Sequence, residues 1–143
     1  MSFTKPIGVA YLDQDIIGAD MVSATVVYAT SQLGYTNGAY GTVTQTGNKA
    51  SAVTINKTAG TITTTNAQMA PSAKVAFVVN NSQVSALDTI IVNIASGATA
   101  TFAYLIAVVT VQDGAFTINL DNVSSNAYTD TLKINFSILH VSP

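Results

Sequence analysis

Few side chains in this 143-residue sequence could do chemistry at neutral pH: seven Asp, five Lys, a single His, and no Glu, Arg or Cys. His140 follows the alternating apolar residues Leu132, Ile134, Phe136 and Ile138 and falls on their inward face. A histidine at the end of such a strand is expected to be a partly buried, hydrogen-bonded residue rather than a catalytic base. A Ser–His–Asp triad is compatible with the composition, but no nucleophile elbow surrounds any serine. A glycosidase pair would have to be two Asp in a cleft. Asp13, Asp15 and Asp20 form the densest acidic group. A calcium loop needs tighter spacing and a closing Glu, so a solvated turn is expected there. Without Cys, disulfides and thiolate metal sites are impossible. The glycines are spread and no Gly-Lys-Ser/Thr occurs, which removes a phosphate-binding loop. Tyr11, Tyr28, Tyr35 and Tyr40 could stack sugars, although such tyrosines more often cap the edge of a core. The chain is therefore expected to be no enzyme and to hold no cofactor or metal.

Charge narrows the partners. Charged residues make up 8% of the chain, against roughly 25% in an average soluble domain. Thr, Ser, Asn and Gln must carry the solvated surface. A surface this neutral offers little electrostatic resistance to association, so much of it is expected to lie against partners or sister subunits. Lys5, Lys49, Lys57, Lys74 and Lys133 are scattered, and the formal net charge is −2. Nucleic acid needs clustered cations on its phosphates and is not an expected partner. The start, MSFTKPIGVAYLDQD, lacks the apolar centre of a signal peptide. The longest apolar run, Phe102–Val111, is too short for a membrane helix. Synthesis in a cytoplasm, followed by a soluble or assembled state, is expected.

The elements that would position these residues are strands. Thr89–Ala95 and Phe102–Val111 are rich in Ile, Val, Phe and Tyr, which suit a pleated surface better than a helix. Ser96-Gly97 marks a turn between them. The second run is apolar on both faces: Phe102, Tyr104, Ile106 and Val108 on one, Ala103, Leu105, Ala107 and Val109 on the other. The two are expected as neighbouring strands in the middle of a sheet covered on both sides. Val53 and Ile55 alternate with polar residues, as do Phe116, Ile118 and Leu120, and Lys74–Asn80 alternates with Val75, Phe77 and Val79 facing inward. Asp113-Gly114 is a preferred hairpin pair, and Val84 and Leu87 are expected to tuck a loop against the core. About seven short strands after Ala50 result, spaced as in a sandwich or barrel. The expected core is Val53, Ile55, Val75, Phe77, Val79, Ile106, Phe116, Ile118, Ile134 and Phe136. Upstream, Met21–Thr30 reads as a strand and Asn37-Gly38 as a type I′ turn. The expected fold class is all-β: an antiparallel jelly-roll-like β-sandwich at residues 47–143, with an N-terminal arm and edge strands at residues 1–46.

The segments Gly47-Asn48-Lys49, Val53-Thr54-Ile55-Asn56-Lys57 and Gly60-Thr61-Ile62-Thr63 resemble a signature of tailed-bacteriophage virion proteins. The likeness continues through Asn66, Met69-Ala70, Val75, Phe77, Val79-Asn80-Asn81, Val84, Asp88, Ile91-Val92 and Ser96-Gly97 to Ile134-Asn135-Phe136 and Ile138. Ala59 stands where members of that family often have Cys. The resemblance implies a small structural module of capsids, tails or fibres. Asn56–Gly60 would then form a hairpin turn with Gly60 at positive φ, a feature of the scaffold and not of a binding site. The implied function is that of a capsid decoration (cement) protein on the outer head surface, bound to the major capsid protein across capsomer boundaries. A tail-fibre or receptor-binding tip contacting host glycans is the alternative, and a tail hydrolase domain is a third reading. A homo-oligomer accompanies the first, with a trimer favoured and a dimer possible. Residues 1–20 are too apolar for a free solvated tail. Phe3, Ile7, Val9, Tyr11, Leu12, Ile16 and Ile17 are therefore the expected partner contacts, by strand addition to a shell or a neighbouring subunit.

Overall fold

The computed structural model of the chain describes residues 29 and 31–141. The chain divides into two units, Met1–Leu33 and Gly34–Pro143, and every element below belongs to the second. A 3-10 turn at Asn37–Ala39 leads into β1 (Tyr40–Thr44). There follow β2 (Val53–Thr54), β3 (Ala59–Thr63), β4 (Lys74–Asn80), β5 (Thr89–Ser96), β6 (Tyr104–Gln112), β7 (Ala115–Asn122) and β8 (Lys133–Leu139). They form two four-stranded sheets, ordered β1-β3-β8-β5 and β2-β4-β7-β6, packed as an all-β sandwich.

The sheets are mixed and not wholly antiparallel: β1 pairs with β3, and β2 with β4, in parallel. This departs from the wholly antiparallel pairing expected from the sequence. The cause is the path of the chain. Six of the seven connections cross from one sheet to the other, and only β6–β7 is an in-sheet hairpin. Two crossings in succession return it to its starting sheet running the original way.

Period-two alternation builds the core. β7 sends Phe116, Ile118 and Leu120 inward, and β8 sends Ile134, Phe136 and Ile138. Each of these six is almost fully buried, because β7 and β8 are inner strands of their sheets. Phe116 and Phe136 meet across the layers with ring centroids 5.6 Å apart and planes tilted by 53°, a geometry that aromatic quadrupoles favour. Val53, Ile55, Phe77 and Val79 complete the expected core, whereas Val75 and Ile106 are only partly buried.

Four local readings need correction. Thr89–Ala95 and Phe102–Val111 are not neighbours in one sheet. They lie in β5 and β6, which among the described residues are the edge strands of opposite sheets. Leu105 and Val109 are therefore exposed, and Phe102 lies in the turn before β6. Asn37-Gly38 makes no type I′ turn: Gly38 does not have a positive φ, and Ala39 N–H donates to the Thr36 carbonyl at 3.0 Å. Gly60 is not at positive φ either. It lies inside β3, where a Cβ would come 2.6 Å from the Gly41 carbonyl oxygen and 2.9 Å from Ile55 Cδ1. Close approach of β1 and β3 requires that glycine. Val84 is buried as expected, but Leu87 is exposed. The strand expected at Met21–Thr30 lies outside the described residues, residue 29 excepted.

Phe77→Ala and Phe136→Ala should each lower the unfolding free energy by about 3–5 kcal/mol. Gly60→Ala should cost about 1–3 kcal/mol through overpacking. Gly38→Ala, whose Cβ would meet only Thr36 Oγ1 at 3.8 Å, should stay within about 0.5 kcal/mol of the parent. Urea unfolding of the four variants measures all of these differences.

Candidate functional site

The connection from β5 to β6, residues 97–103, is fastened at both ends. Gly97 has φ +98°, and a Cβ there would overlap the Thr131 carbonyl. Two residues on, Thr99 donates its N–H to Asp130 Oδ2 at 2.8 Å and its hydroxyl to Oδ1 at 2.5 Å. The Tyr104 hydroxyl donates to the same Oδ2 at 3.1 Å. Beneath them lies Lys49, only 2% exposed. Its ammonium group donates to Thr64 Oγ1 at 3.3 Å and to the carbonyls of Thr65 and Asp130, both at 2.5 Å. All three ammonium protons are engaged.

The electrostatics keep this cluster in one state. Burial by itself would raise the Asp130 carboxyl. The two bonds from Thr99, the bond from Tyr104 and the Lys49 charge outweigh it and hold Asp130 below the usual carboxylate range. Burial lowers Lys49, against the pull of Asp130. Tyr104 is pushed well up, first by burial and then by the carboxylate it bonds. Asp130 is thus a charged acceptor and Tyr104 a neutral donor. With every strong hydrogen-bonding group engaged, the cluster works as a clamp on the loop rather than as an acid or base.

The clamp holds up Phe102. This residue has φ +59° and is 90% exposed. For an L side chain the left-handed region costs about 1–2 kcal/mol, and here no burial of the ring offsets it. A shallow cavity of about 280 Å³ adjoins it, lined in part by Ile94, Thr99, Thr101, Phe102 and Tyr104. Backbone strain maintained around an exposed aromatic ring is a mark of a contact site. Sequence reading placed Phe102 on one face of a buried strand because alternation runs through it. No residue type announces a positive φ at Phe. Lys49 and Asp130 were equally illegible as partners, being 81 positions apart.

The other candidate residues are distributed elsewhere. Asp88, at the start of β5, accepts from Ser85 N–H at 2.8 Å and Val141 N–H at 3.1 Å, and lies 3.0 Å from His140 Nδ1. The Ser85 bond is the main cause of its lowered pKa; Val141 and His140 add to it against burial. His140 thus leaves the inward face where β8 ends and caps Asp88 from the surface. Among the described residues no Ser or Thr hydroxyl bonds the imidazole, so no triad geometry is formed. Tyr35 donates to the Ile138 carbonyl, and Tyr40 shares a hydrogen bond of 2.6 Å with Thr61 Oγ1. The segments around Asn56 and Asn81 meet: Asn81 Nδ2 donates to the Lys57 carbonyl at 2.7 Å, and Ser82 N–H to Asn56 Oδ1 at 2.9 Å. Tyr11, Tyr28, the Asp13, Asp15 and Asp20 group, and the expected contacts Phe3, Ile7, Val9, Tyr11, Leu12, Ile16 and Ile17 lie outside the described residues.

Phe102→Gly should stabilise the fold by about 1 kcal/mol, because glycine takes positive φ freely. Asp130→Ala should destabilise it by about 2–4 kcal/mol, since Thr99 and Tyr104 lose their acceptor. Both depressed aspartates, Asp130 and Asp88, contribute stability that is complete above about pH 4 and is lost as pH falls through their folded values. Asp130→Asn should therefore flatten the acid side of the stability profile. Thermal melts across a pH series read this slope directly.

No family model, curated protein or solved structure matches the chain.

Proposed function

We propose that this chain is a virion structural protein that acts by adding contacts. In this reading it is a capsid decoration protein on the outer head surface, bound to the major capsid protein and to its own copies. The observation that carries the reading is Phe102, an exposed ring on a strained and clamped loop. An exposed aromatic side chain carried on a fastened backbone can serve as an anchor in a partner's surface. The phage-like signature and the scarcity of surface charge support the same reading. Decoration needs complementary surface and no reaction, which suits titratable groups engaged in fastening loops. The apolar residues of the first 20 positions, Phe3 to Ile17, would dock on the shell or on a neighbouring subunit.

A tail-fibre or receptor-binding tip for host glycans is the second reading. The cavity beside Phe102 favours it, because Phe102 and Tyr104 line it together with Thr99 and Thr101. Sugars use such a combination of stacking and hydroxyl contacts.

Gold-labelled protein on intact virions separates the two readings. Label spread over the head supports decoration, and label confined to the tail tip supports glycan binding. On heads, Phe102→Ala should weaken binding by about 2 kcal/mol or more, roughly thirtyfold, without lowering the melting temperature. Deleting residues 1–20 should leave a folded domain that no longer binds heads. An unfolded product, or undiminished binding, would remove the arm from the proposal.

A further inference from the structure

Asn37-Gly38 is the single Asn-Gly pair of the chain, and it opens the 3-10 turn Asn37–Ala39. Both residues are exposed. Two hydrogen bonds close the turn: Ala39 N–H to the Thr36 carbonyl at 3.0 Å, and Tyr40 N–H to the Asn37 carbonyl. The Gly38 N–H precedes both donors, and an opening amide has no partner within its own turn. Among the described residues neither it nor the Asn37 side-chain amide makes a hydrogen bond. The space around Gly38 is open, since a Cβ there would have only Thr36 Oγ1 within 4 Å, at 3.8 Å. Asp113-Gly114 is the closest comparison, and its atoms are occupied. Gly114 N–H donates to the Val84 carbonyl at 2.9 Å, and Asp113 Oδ1 accepts from Ala86 N–H at 2.8 Å. A cation stands beside the free pair. Lys57 Nζ donates to the Gly38 carbonyl at 2.9 Å. Its stem lies across Gly41, where a Cβ would come 2.8 Å from Lys57 Cγ.

We propose that Asn37 is a site of spontaneous covalent modification, converted to aspartate or isoaspartate through its neighbour Gly38, with Lys57 as the positioning residue. The proposal does not rest on the virion reading. Solvent base removes the Gly38 N–H proton. The nitrogen attacks Asn37 Cγ and a bond forms between them. The Cγ–Nδ2 bond breaks, and Nδ2 takes a proton from solvent and leaves as ammonia. Water then opens the five-membered imide. Opening the new bond gives aspartate; opening the original Asn37–Gly38 peptide bond gives isoaspartate. Nothing is oxidised or reduced. Two features favour the starting anion. The bond from Tyr40 N–H draws charge from the Asn37 carbonyl and so from the nitrogen conjugated with it. The Lys57 ammonium group is held against the same glycine, and a nearby opposite charge favours an ionised form. Gly38 also has no side chain to hinder ring closure, whereas the ten other Asn are each followed by a residue that has one. Either product adds a negative charge beside Lys57. Isoaspartate also takes the carbonyl that Tyr40 bonds out of the main chain, at the first residue of β1.

Timed incubation of the full chain in mildly alkaline buffer, followed by intact mass and peptide mapping, tests this. Residue 37 should convert ahead of every other asparagine, with a gain of about 1 Da per copy. Gly38→Ala, which the open space around Gly38 accommodates, should slow the conversion about tenfold or more. Lys57→Gln should slow it about threefold, and Lys57→Arg, which keeps the charge, should convert at the parent rate. Lys57 is exposed, so both variants should melt near the parent temperature. Should either fail to fold, added salt decides on the parent, because screening should slow conversion as Lys57→Gln does. An Asn37 that stays intact, or that converts after another asparagine, overturns the proposal. A rate indifferent to Lys57→Gln and to salt, or a Lys57→Arg chain as slow as Lys57→Gln, overturns it as well.

Discussion

Among the described residues the chain changes sheets at six of seven connections, and it must satisfy backbone groups at the ends of the core, where no ladder reaches them. An unpaired buried polar group costs about 1–3 kcal/mol, so several such groups would cancel the stability of a domain this size. The buried polar side chains stand where that need arises. Gln45 and Lys49 lie between β1 and β2, and Thr64 follows β3. Asn81 follows β4, Asp88 precedes β5, Asn122 ends β7 and Asp130 precedes β8. Gln45 Nε2 donates to the Lys49 and Ser51 carbonyls at 3.0 and 2.6 Å. Asn122 Nδ2 reaches the carbonyls of Met69, Ala70 and Asn126. The core sets the two layers, and these residues set how the chain travels between them.

The β5–β6 connection shows what the arrangement makes possible. A short loop between edge strands of different sheets would ordinarily relax toward unstrained backbone. Here Asp130 accepts twice from Thr99 near the start of the loop and once from Tyr104 just past its end, and the Gly97 backbone lies against Thr131, so both ends are fixed. Hydrogen bonds to a charged acceptor contribute about 1.5–3 kcal/mol each. Two of them exceed the roughly 1–2 kcal/mol of a left-handed Phe. The strained Phe102 is thus a stable feature of the ground state and needs no partner to form.

Much of the fold was legible in the sequence, because alternation in β4, β7 and β8 reports directly which side chains face inward. Phe77, Ile118 and Ile134 needed nothing more, and neither did the Asp113-Gly114 hairpin, whose Gly114 has φ +79°. The readings failed where the answer depended on which sheet a strand enters. An edge strand can be apolar on both faces just as a central one can, so β6 looked central. Gly60 looked like a turn residue because the approach of β1 that demands it comes from 19 positions upstream. The clamp was hidden for the same reason: Lys49, Thr99 and Asp130 acquire meaning only when crossings bring three separated connections together.

The internal use of charge shapes the exterior. Of the chain's five Lys and seven Asp, Lys49, Asp88 and Asp130 are buried in fastening loops. Lys57 donates to the Gly38 carbonyl at 2.9 Å, and Lys74 and Asp121 lie 3.6 Å apart at the surface, where such pairs contribute little. The outer face of the β1-β3-β8-β5 sheet is held instead by neutral groups: Tyr40 bonds Thr61, and Thr61 donates to Asn135 Oδ1 at 2.6 Å. With so little charge to steer encounter or enforce register, any recognition on this surface would rest on shape and on exposed apolar side chains. Several of these stand on the β5–β6 side, where the loop that carries Phe102 joins two strands that are sheet edges among the described residues.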